Sequence, residues 1–262
     1  VTPQSHRGRR VLVTAGDTGI GRAVALAFAG QGADLVVHHF SNSKSAEAVA
    51  DAARGLGVAV SVLEADLTQP GAAGSLARAV LSEGPVDIAV INAAIERRCD
   101  WNELSEASIA NHVAANFTAT IALAQALVPG MRAKGWGRII ATGSIMAARP
   151  RAETLAYAAL KSAQLTAVAA LAREVGRDGI TVNVVSPGSI ETDRSRAALA
   201  DPEVQRTVIA KVPVGRIGTP EDCVPAYLML AAEESGYITG VNIPVDGGWS
   251  AGDALAANMS PR

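Results

Sequence analysis

The run RVLVTAGDTGIGRAVALAFAGQG, Arg10 to Gly32, decides the fold. Arg10 to Thr14 is a short apolar segment, too short for a helix and suited to a strand buried on both faces. It stops in AGDTGIG, Ala15 to Gly21, and the residues beyond carry helical periodicity that ends at Gly32. Strand, glycine-rich turn and helix in that order are what a dinucleotide site requires. Glycines let the backbone approach a pyrophosphate, and the helix N-terminus offers unpaired N–H groups and a partial positive charge. A glycine cluster alone reads equally as a tight turn; its place directly after the first strand favours the binding reading.

The same unit repeats along the chain. ADLVVHHF (33–40) reads as a second strand, with a helix from Ser43 to Leu56. VAVSVLEAD (58–66) is a third strand, with a helix from Gln69 to Glu83. VDIAVINAA (86–94) is a fourth, followed by a long helix without formal charge from Ala107 to Met131, closed by Pro129-Gly130. GRIIATGS (137–144) is a fifth, followed by the helix that holds Tyr157, and GITVNVVSPG (179–188) is a sixth. Asp201-Pro202-Glu203 and Thr219-Pro220-Glu221-Asp222 each set a capping side chain before a proline at the first helical position, so two further helices start there. VNIPVDGG (241–248) closes the chain as a short strand. Strands alternating with helices of this length give an α/β fold, a three-layer doubly wound parallel sheet of about seven strands of the Rossmann type. One domain over residues 1–262 is expected, with 1–9 and 249–262 as flexible or interface tails.

Composition bounds the function. The 262 residues are 49% hydrophobic with a net charge of −2, which leaves no electrostatic footprint for nucleic acid. Cys99 and Cys223 lie far apart with no paired spacing, so structural thiols are expected and no metal site. VTPQSHRGRR is basic but has no apolar run behind it, so no secretory signal is expected. Asn111, His112, Asn116, Thr118, Thr120 and Gln125 interrupt the uncharged helix, which therefore reads as buried between the sheet and a partner subunit rather than membrane-spanning. A cytoplasmic protein is expected.

In such sheets ligands bind beyond the carboxyl ends of the strands. After the glycine turn, the residues in that position are Asp66-Leu67, Asn92-Ala93-Ala94, Gly143-Ser144 and Pro187-Gly188. Singly each is an ordinary loop; together they make a line of backbone and short side chains along an extended ligand. Tyr157 and Lys161 are one helical turn apart, on one face, and a cation near a phenol lowers its pKa toward use as a general acid/base.

These motifs together resemble the short-chain dehydrogenase/reductase family, in its compact form, from Arg10 to Gly248. Thr14–Gly21 resembles the family's TGxxxGxG and Asn92–Ala94 its NAG. Tyr157–Lys161 resembles YxxxK, with Ser144 thirteen residues before the tyrosine. Asn116 falls at the family's asparagine, Pro187–Thr192 resembles PGxxxT, and Val245–Gly248 resembles the common C-terminal VDGG. Three residues depart from the pattern: Ala15 for the first glycine, which requires a negative φ there, Ile91 for the first of two asparagines, and Ala94 for a glycine.

The resemblance implies a nicotinamide-dependent oxidoreductase that interconverts an alcohol and a ketone or aldehyde, with Ser144, Tyr157, Lys161 and Asn116 catalytic. Tyr157 exchanges the proton, Lys161 lowers its pKa and holds the nicotinamide ribose, Ser144 steadies the substrate oxygen, and Asn116 holds a relay water. The cofactor contacts implied are Ala15, Gly16, Asp17, Thr18, Gly19, Ile20, His38, His39, Ser41, Asn42, Asp66, Leu67, Asn92, Ala93, Ala94, Tyr157, Lys161, Pro187, Gly188, Ile190 and Thr192. No acid stands at the end of strand two, where His38-His39-Phe40-Ser41-Asn42-Ser43 can hydrogen-bond a phosphate, so NADP(H) is favoured over NAD(H). Thr18, in place of a basic residue, and Asp17 weigh the other way.

Substrate contacts fall to Ser144, Ile145, Tyr157, Glu96 and Arg149. Arg149, Arg151 and Glu153 either recognise a polar or anionic compound or stand as solvated loop charges. Residues Ser189 to Lys211 read as a mobile lid. A small carbonyl or alcohol, or a sugar-like polyol, is the expected substrate. A 3-oxoacyl-[acyl-carrier-protein] reductase is the alternative, given a basic patch from Arg97, Arg98, Arg132 and Arg138. A cofactor-sensing scaffold without turnover is the alternative of another class. Relatives pair the two charge-poor helices across a two-fold axis, which implies a homotetramer or homodimer.

Overall fold

The computed structural model describes residues 5–252. Seven strands, β1 (Arg10–Val13), β2 (Asp34–His39), β3 (Val60–Glu64), β4 (Ile88–Ile91), β5 (Gly137–Thr142), β6 (Ile180–Pro187) and β7 (Asn242–Val245), form one sheet in the order β3-β2-β1-β4-β5-β6-β7. Every pairing is parallel, with Val11 opposite both Leu35 of β2 and Ile88 of β4. The strand order reverses between β1 and β4, and a crevice opens there at the carboxyl ends.

Side-chain alternation along the strands explains the continuous apolar runs. Val11 and Val13 point into a core layer with α1 (Gly19–Gly30), α2 (Ser43–Arg54) and α9 (Pro220–Ala231). Leu12 points the other way, into a layer with α3 (Ala72–Ser82), α5 (Ala119–Lys134) and α6 (Leu155–Val175). A strand covered on both faces has no solvent side on which polar residues would recur.

The uncharged helix is longer than its sequence suggested. It begins as α4 (Glu106–Val113), passes through a π-helical turn at Ala114–Thr118 and continues as α5 through Pro129 to Lys134, where Gly135 at φ 62° ends it. Pro129 does not close the helix. The carbonyl it leaves without a helical donor is that of Gln125, which like Pro129 is exposed and can be hydrated. Segments 106–134 and 152–178 have the length and hydropathy to cross a membrane. Their apolar residues Leu123, Leu127, Met131, Val168 and Ala172 lie in the core under the sheet, while Asn116, Thr120, Lys161 and Gln164 are buried polar groups.

Residues 189–211 contain two short helices, α7 (Asp193–Leu199) and α8 (Pro202–Ile209). Only the second had a legible start; α7 is begun by Thr192 and Ser195 in a capping box, where Ser stands in place of the more usual Glu or Gln. Of the expected tails, residues 1–4 and 253–262 lie outside the described residues. The inner ends are not loose: His6 is buried against Phe28, and Trp249 is buried beside Tyr157. Cys99 and Cys223 are free thiols.

Candidate active site

A cleft of ≈ 590 Å³ runs along the carboxyl edge, from Ala15, Thr18, Gly19 and Ile20 past Asn92 and Ala94 to Ser144, Tyr157 and Lys161. Its far wall is Pro187, Gly188, Ile190 and Thr192. The strand-end positions singled out in the sequence are thus brought to one place.

The glycine turn is held from three sides. Ala15 is at φ 48°, in the left-handed region, against the negative φ expected of an alanine. Its N–H donates to Nδ1 of His38 at 3.1 Å, and its carbonyl accepts from Nδ2 of Asn92 at 3.2 Å. Behind it Gly21 leaves no room for a side chain, since a Cβ there would lie 1.9 Å from the Ala15 carbonyl oxygen. With Nδ1 accepting, the His38 ring is the Nε2–H tautomer and donates to the Ala65 carbonyl at 3.0 Å. Burial keeps this imidazole neutral and depresses its pKa to about 4. His38 therefore supports the turn from below and does not reach the cleft.

Other expected cofactor contacts divide. Gly16 continues the turn, its N–H bound to the His38 carbonyl at 2.9 Å. Asp17 is buried, which pushes its carboxyl above the usual range, and His39 pulls it back. His39 is buried too, with an Nδ1 that has no partner among the described residues. Ser41, at φ 60°, donates its N–H to Glu64 at 3.3 Å, so an acid from β3 stands near the end of β2 where the linear sequence shows none. Asn42 caps α2. Asp66 is occupied with Thr68 and Gln69, whose hydrogen bonds lower its pKa, and Leu67 is core. Neither Asp66 nor Leu67 lines the cleft, and Ala93 lies behind it, its N–H on Thr14 Oγ1 at 2.9 Å.

A dinucleotide fits the near half. Thr18, the residue before α1, makes no side-chain capping bond and the first turn has no acid, so the N–H groups there are unclaimed by side chains. Gly19 carries φ 50°, and a Cβ would sit 3.1 Å from Thr192, so the cleft closes tightly over this turn.

At the far half, Ser144 follows β5 with its Oγ accepting the Met146 N–H at 3.1 Å, and it lines the same cleft as Tyr157. Tyr157 and Lys161 are both buried, the ammonium 5.6 Å from the phenol ring centre. Lys161 donates to the Thr142 carbonyl at 2.5 Å and to Gln164 at 3.4 Å. Burial raises the phenol above its ordinary value, opposed by the nearby Ser144 hydroxyl; Glu96 raises it further and Arg194 lowers it. Burial takes Lys161 down to about 7, assisted by Arg194. The expected lowering of the tyrosine by Lys161 is thus not what the site displays: desolvation dominates both groups, and the cation both feel is Arg194.

Asn116 is 1% exposed and turned to the backbone of Ile95, accepting its N–H and donating to its carbonyl, both at 2.8 Å. The π-helical turn supplies the extra residue that aims it there. Ile145 and Glu96 line the cleft; Arg149 does not, and Arg151 stands on the wall instead. Met146 and Thr154, between Ile145 and Leu155, and Arg194, beyond Gly188, line the cleft as well, while Trp249 was missed. Trp249 had a signal, as the first large apolar residue after VDGG.

A family model described as enoyl-(acyl carrier protein) reductase matches residues 14–250. The 3-oxoacyl-[acyl-carrier-protein] reductase FabG of Escherichia coli is 36% identical over 256 residues, 93% of this chain and 98% of that protein. A candidate NAD(P)-dependent gluconate 5-dehydrogenase from Beutenbergia cavernae, solved with NADP at low occupancy, superposes with a TM-score of 0.90 at 33% identity, over 95% of this chain and 100% of the other. A 3-oxoacyl (acyl-carrier-protein) reductase from Agrobacterium tumefaciens C58, solved with NADP, gives 0.88 at 36% identity, over 92% and 94%.

Two outcomes follow from the turn. A non-glycine residue in the left-handed region costs roughly 1–2 kcal/mol, so Ala15→Gly should raise the urea unfolding free energy by about 1 kcal/mol, the rest offset by glycine's larger chain entropy. Secondly, His38 titrates near 6.5 when unfolded and about 4 when folded, so between those values the unfolded chain binds more protons. Its contribution is complete above 6.5 and is lost as pH falls toward 4, a change on the order of 3 kcal/mol. His38→Gln, which keeps a donor and an acceptor without titrating, should flatten that part of the stability–pH curve.

Proposed function

The chain belongs to the short-chain dehydrogenase/reductase family, and on that footing we propose that it interconverts a small alcohol and its ketone or aldehyde with NADP(H), Tyr157 exchanging the proton. It is an NAD(P)-dependent oxidoreductase acting on CH–OH and C=O groups. The observation that carries the reading of the site is a buried Tyr157 gathered with Ser144 and Lys161 in one cleft that starts at an anion-ready helix end.

The bound nicotinamide supplies or accepts the hydride. In reduction Tyr157 gives its phenol proton to the carbonyl oxygen, and in oxidation it takes the alcohol proton. A phenol held above its ordinary range by burial is protonated at neutral pH, which suits the reductive direction. The Ser144 hydroxyl donates to the same oxygen as charge develops there. Lys161, fixed by hydrogen bonds to Thr142 and Gln164, would hold the ribose hydroxyls of the nicotinamide half. The Asn116 amide sets the loop after β4, and the same residue is assigned the relay water that links Lys161 to solvent.

NADP(H) over NAD(H) is supported by the missing acid on β2 itself and by relatives solved with NADP. Asp17 and Glu64 oppose it, the first softened by its raised pKa. The polyol or small carbonyl reading draws support from the likeness to a candidate gluconate dehydrogenase. An acyl-carrier-protein substrate is favoured by the FabG relatives, but the basic patch it wants is not assembled. Arg138 is 2% exposed at the amino end of β5, about 20 Å from Ser144 at ~3.3 Å per residue. Arg132 is engaged with Asp178 at 2.6 Å. A homotetramer in the cytoplasm completes the reading. Ile109 and Val113 on α4, Leu155 on α6, and Met229, Tyr237 and Val241 nearer the edge strand β7 are exposed apolar side chains of the kind an interface would cover.

Tyr157→Phe should cut kcat by about 10²–10⁴, the usual share of general acid/base catalysis, while NADPH binds as in the parent and more tightly than NADH. Retained turnover would remove the phenol from the mechanism. Light scattering should give a mass four times the 26.7 kDa chain; a monomer would refute the assembly.

A further inference from the structure

Three arginines, Arg98, Arg151 and Arg194, stand around the far half of the cleft. Two are neutralised. Arg98 pairs with Glu96 at 3.0 Å, and Arg151 with Glu153 at 3.5 Å. Arg194, on α7, has no carboxylate partner among the described residues; its sequence neighbour Asp193 is taken by Arg196 at 2.7 Å. Its one hydrogen bond among the described residues reaches across the cleft, Nη2 to the Ala94 carbonyl at 3.2 Å. Ala94 packs against the small buried cluster that contains Ile145, Met146, Tyr157 and Trp249, which places that guanidinium at the substrate end. It is near enough to Tyr157 and Lys161 to lower both of their pKa values.

The polar groups on this wall are short of acceptors. A guanidinium carries five donors in a planar fork, and a single neutral carbonyl uses one of them. Trp249, on the same cleft, buries an indole N–H with no acceptor among the described residues. A carboxylate matches the unused fork in shape and charge, whereas a hydroxyl or a thioester leaves most of it unmet.

We propose that the substrate is a small oxo or hydroxy acid, polyhydroxy acids included, and that Arg194 recognises its carboxylate. The acid end then lies under α7, with the alcohol or carbonyl carbon toward Ser144 and Tyr157. The inference rests on the oxidoreductase reading and narrows it: a neutral acyl thioester would have no use for this cation.

Three matched pairs differ only in the acid end: D-gluconate and D-sorbitol, 3-hydroxybutyrate and butane-1,3-diol, glycerate and glycerol. Each is titrated calorimetrically into the NADP-saturated protein. At least one acid should bind about tenfold or more tightly than its neutral partner, as expected of a hydrogen bond to a charged group. That ratio should fall to near unity in Arg194→Leu and recover in part in Arg194→Lys, with NADPH affinity the same in all three proteins. Equal binding of acid and neutral partner in every pair overturns the inference, and so does a ratio that survives in Arg194→Leu. A loss of NADPH affinity in step with the acid preference overturns it as well, since Arg194 would then serve the nucleotide. Turnover is read separately from nucleotide absorbance: an acid preference without turnover upholds the recognition and sinks the proposed reaction.

Discussion

One chain of hydrogen bonds ties the carboxyl edge of the sheet together, and every feature of the cleft hangs from it. Thr14, at the end of β1, accepts the N–H groups of Asn92 and Ala93 on its hydroxyl oxygen at 2.8 and 2.9 Å. The Asn92 amide donates to the carbonyls of Thr14 and Ala15, both at 3.2 Å, and accepts from the Thr142 hydroxyl at 3.1 Å. Having given its proton to Asn92, Thr142 must accept from the Tyr227 phenol, 2.6 Å away. The Thr142 carbonyl in turn takes Lys161. Donors and acceptors alternate without a break from the glycine turn to the lysine. In a buried setting such a chain is rigid, because any unmade link strands a polar group out of water.

That rigidity explains how an alanine survives at a position the sequence reserves for glycine. The strain at Ala15 is local, while the bonds that impose it come from β2 and β4, on either side of β1. His38 does for the turn what a ligand contact was expected to do for a cofactor. Its ring has one acceptor and one donor when neutral, and both are used. Protonation would put two donors where one acceptor is needed, so burial and hydrogen bonding both hold the imidazole uncharged.

The alternation of strands and helices was legible because a strand covered on both faces and a helix with one apolar stripe have different periods. The strand ends were legible for the same reason: they are where those periods change. Asn92, Ser144, Tyr157 and Lys161 therefore came together as read. What escaped was decided across the chain rather than along it. Whether His38 faces up or down depends on a carbonyl at Ala65; whether Pro129 ends a helix depends on which side of α5 meets water. Glu64 comes beside Ser41 only through the pairing of β2 with β3. The sign of the tyrosine shift failed similarly. Helical spacing gives the separation of a phenol and an ammonium but not how much water either keeps, and burial outweighs their mutual effect here.

The two cations of the far half differ in a way that matters for chemistry. Lys161 is fully enclosed, its charge weakened by desolvation and shared with a carbonyl and an amide. Arg194 is exposed and sits across the cleft on a short helix. An oxygen gaining negative charge between Ser144 and Tyr157 would lie between a fixed cation behind and a second one in front. Fixed charge that needs no rearrangement as the reaction proceeds is the most effective kind of electrostatic assistance. The rear cation meets that condition through its buried hydrogen bonds. The front one is set by α7 and by its hydrogen bond to the Ala94 carbonyl. A negatively charged group in the cleft would take up the rest of its donor fork, so the cation suited to hold such a group is also the one that faces the reacting oxygen.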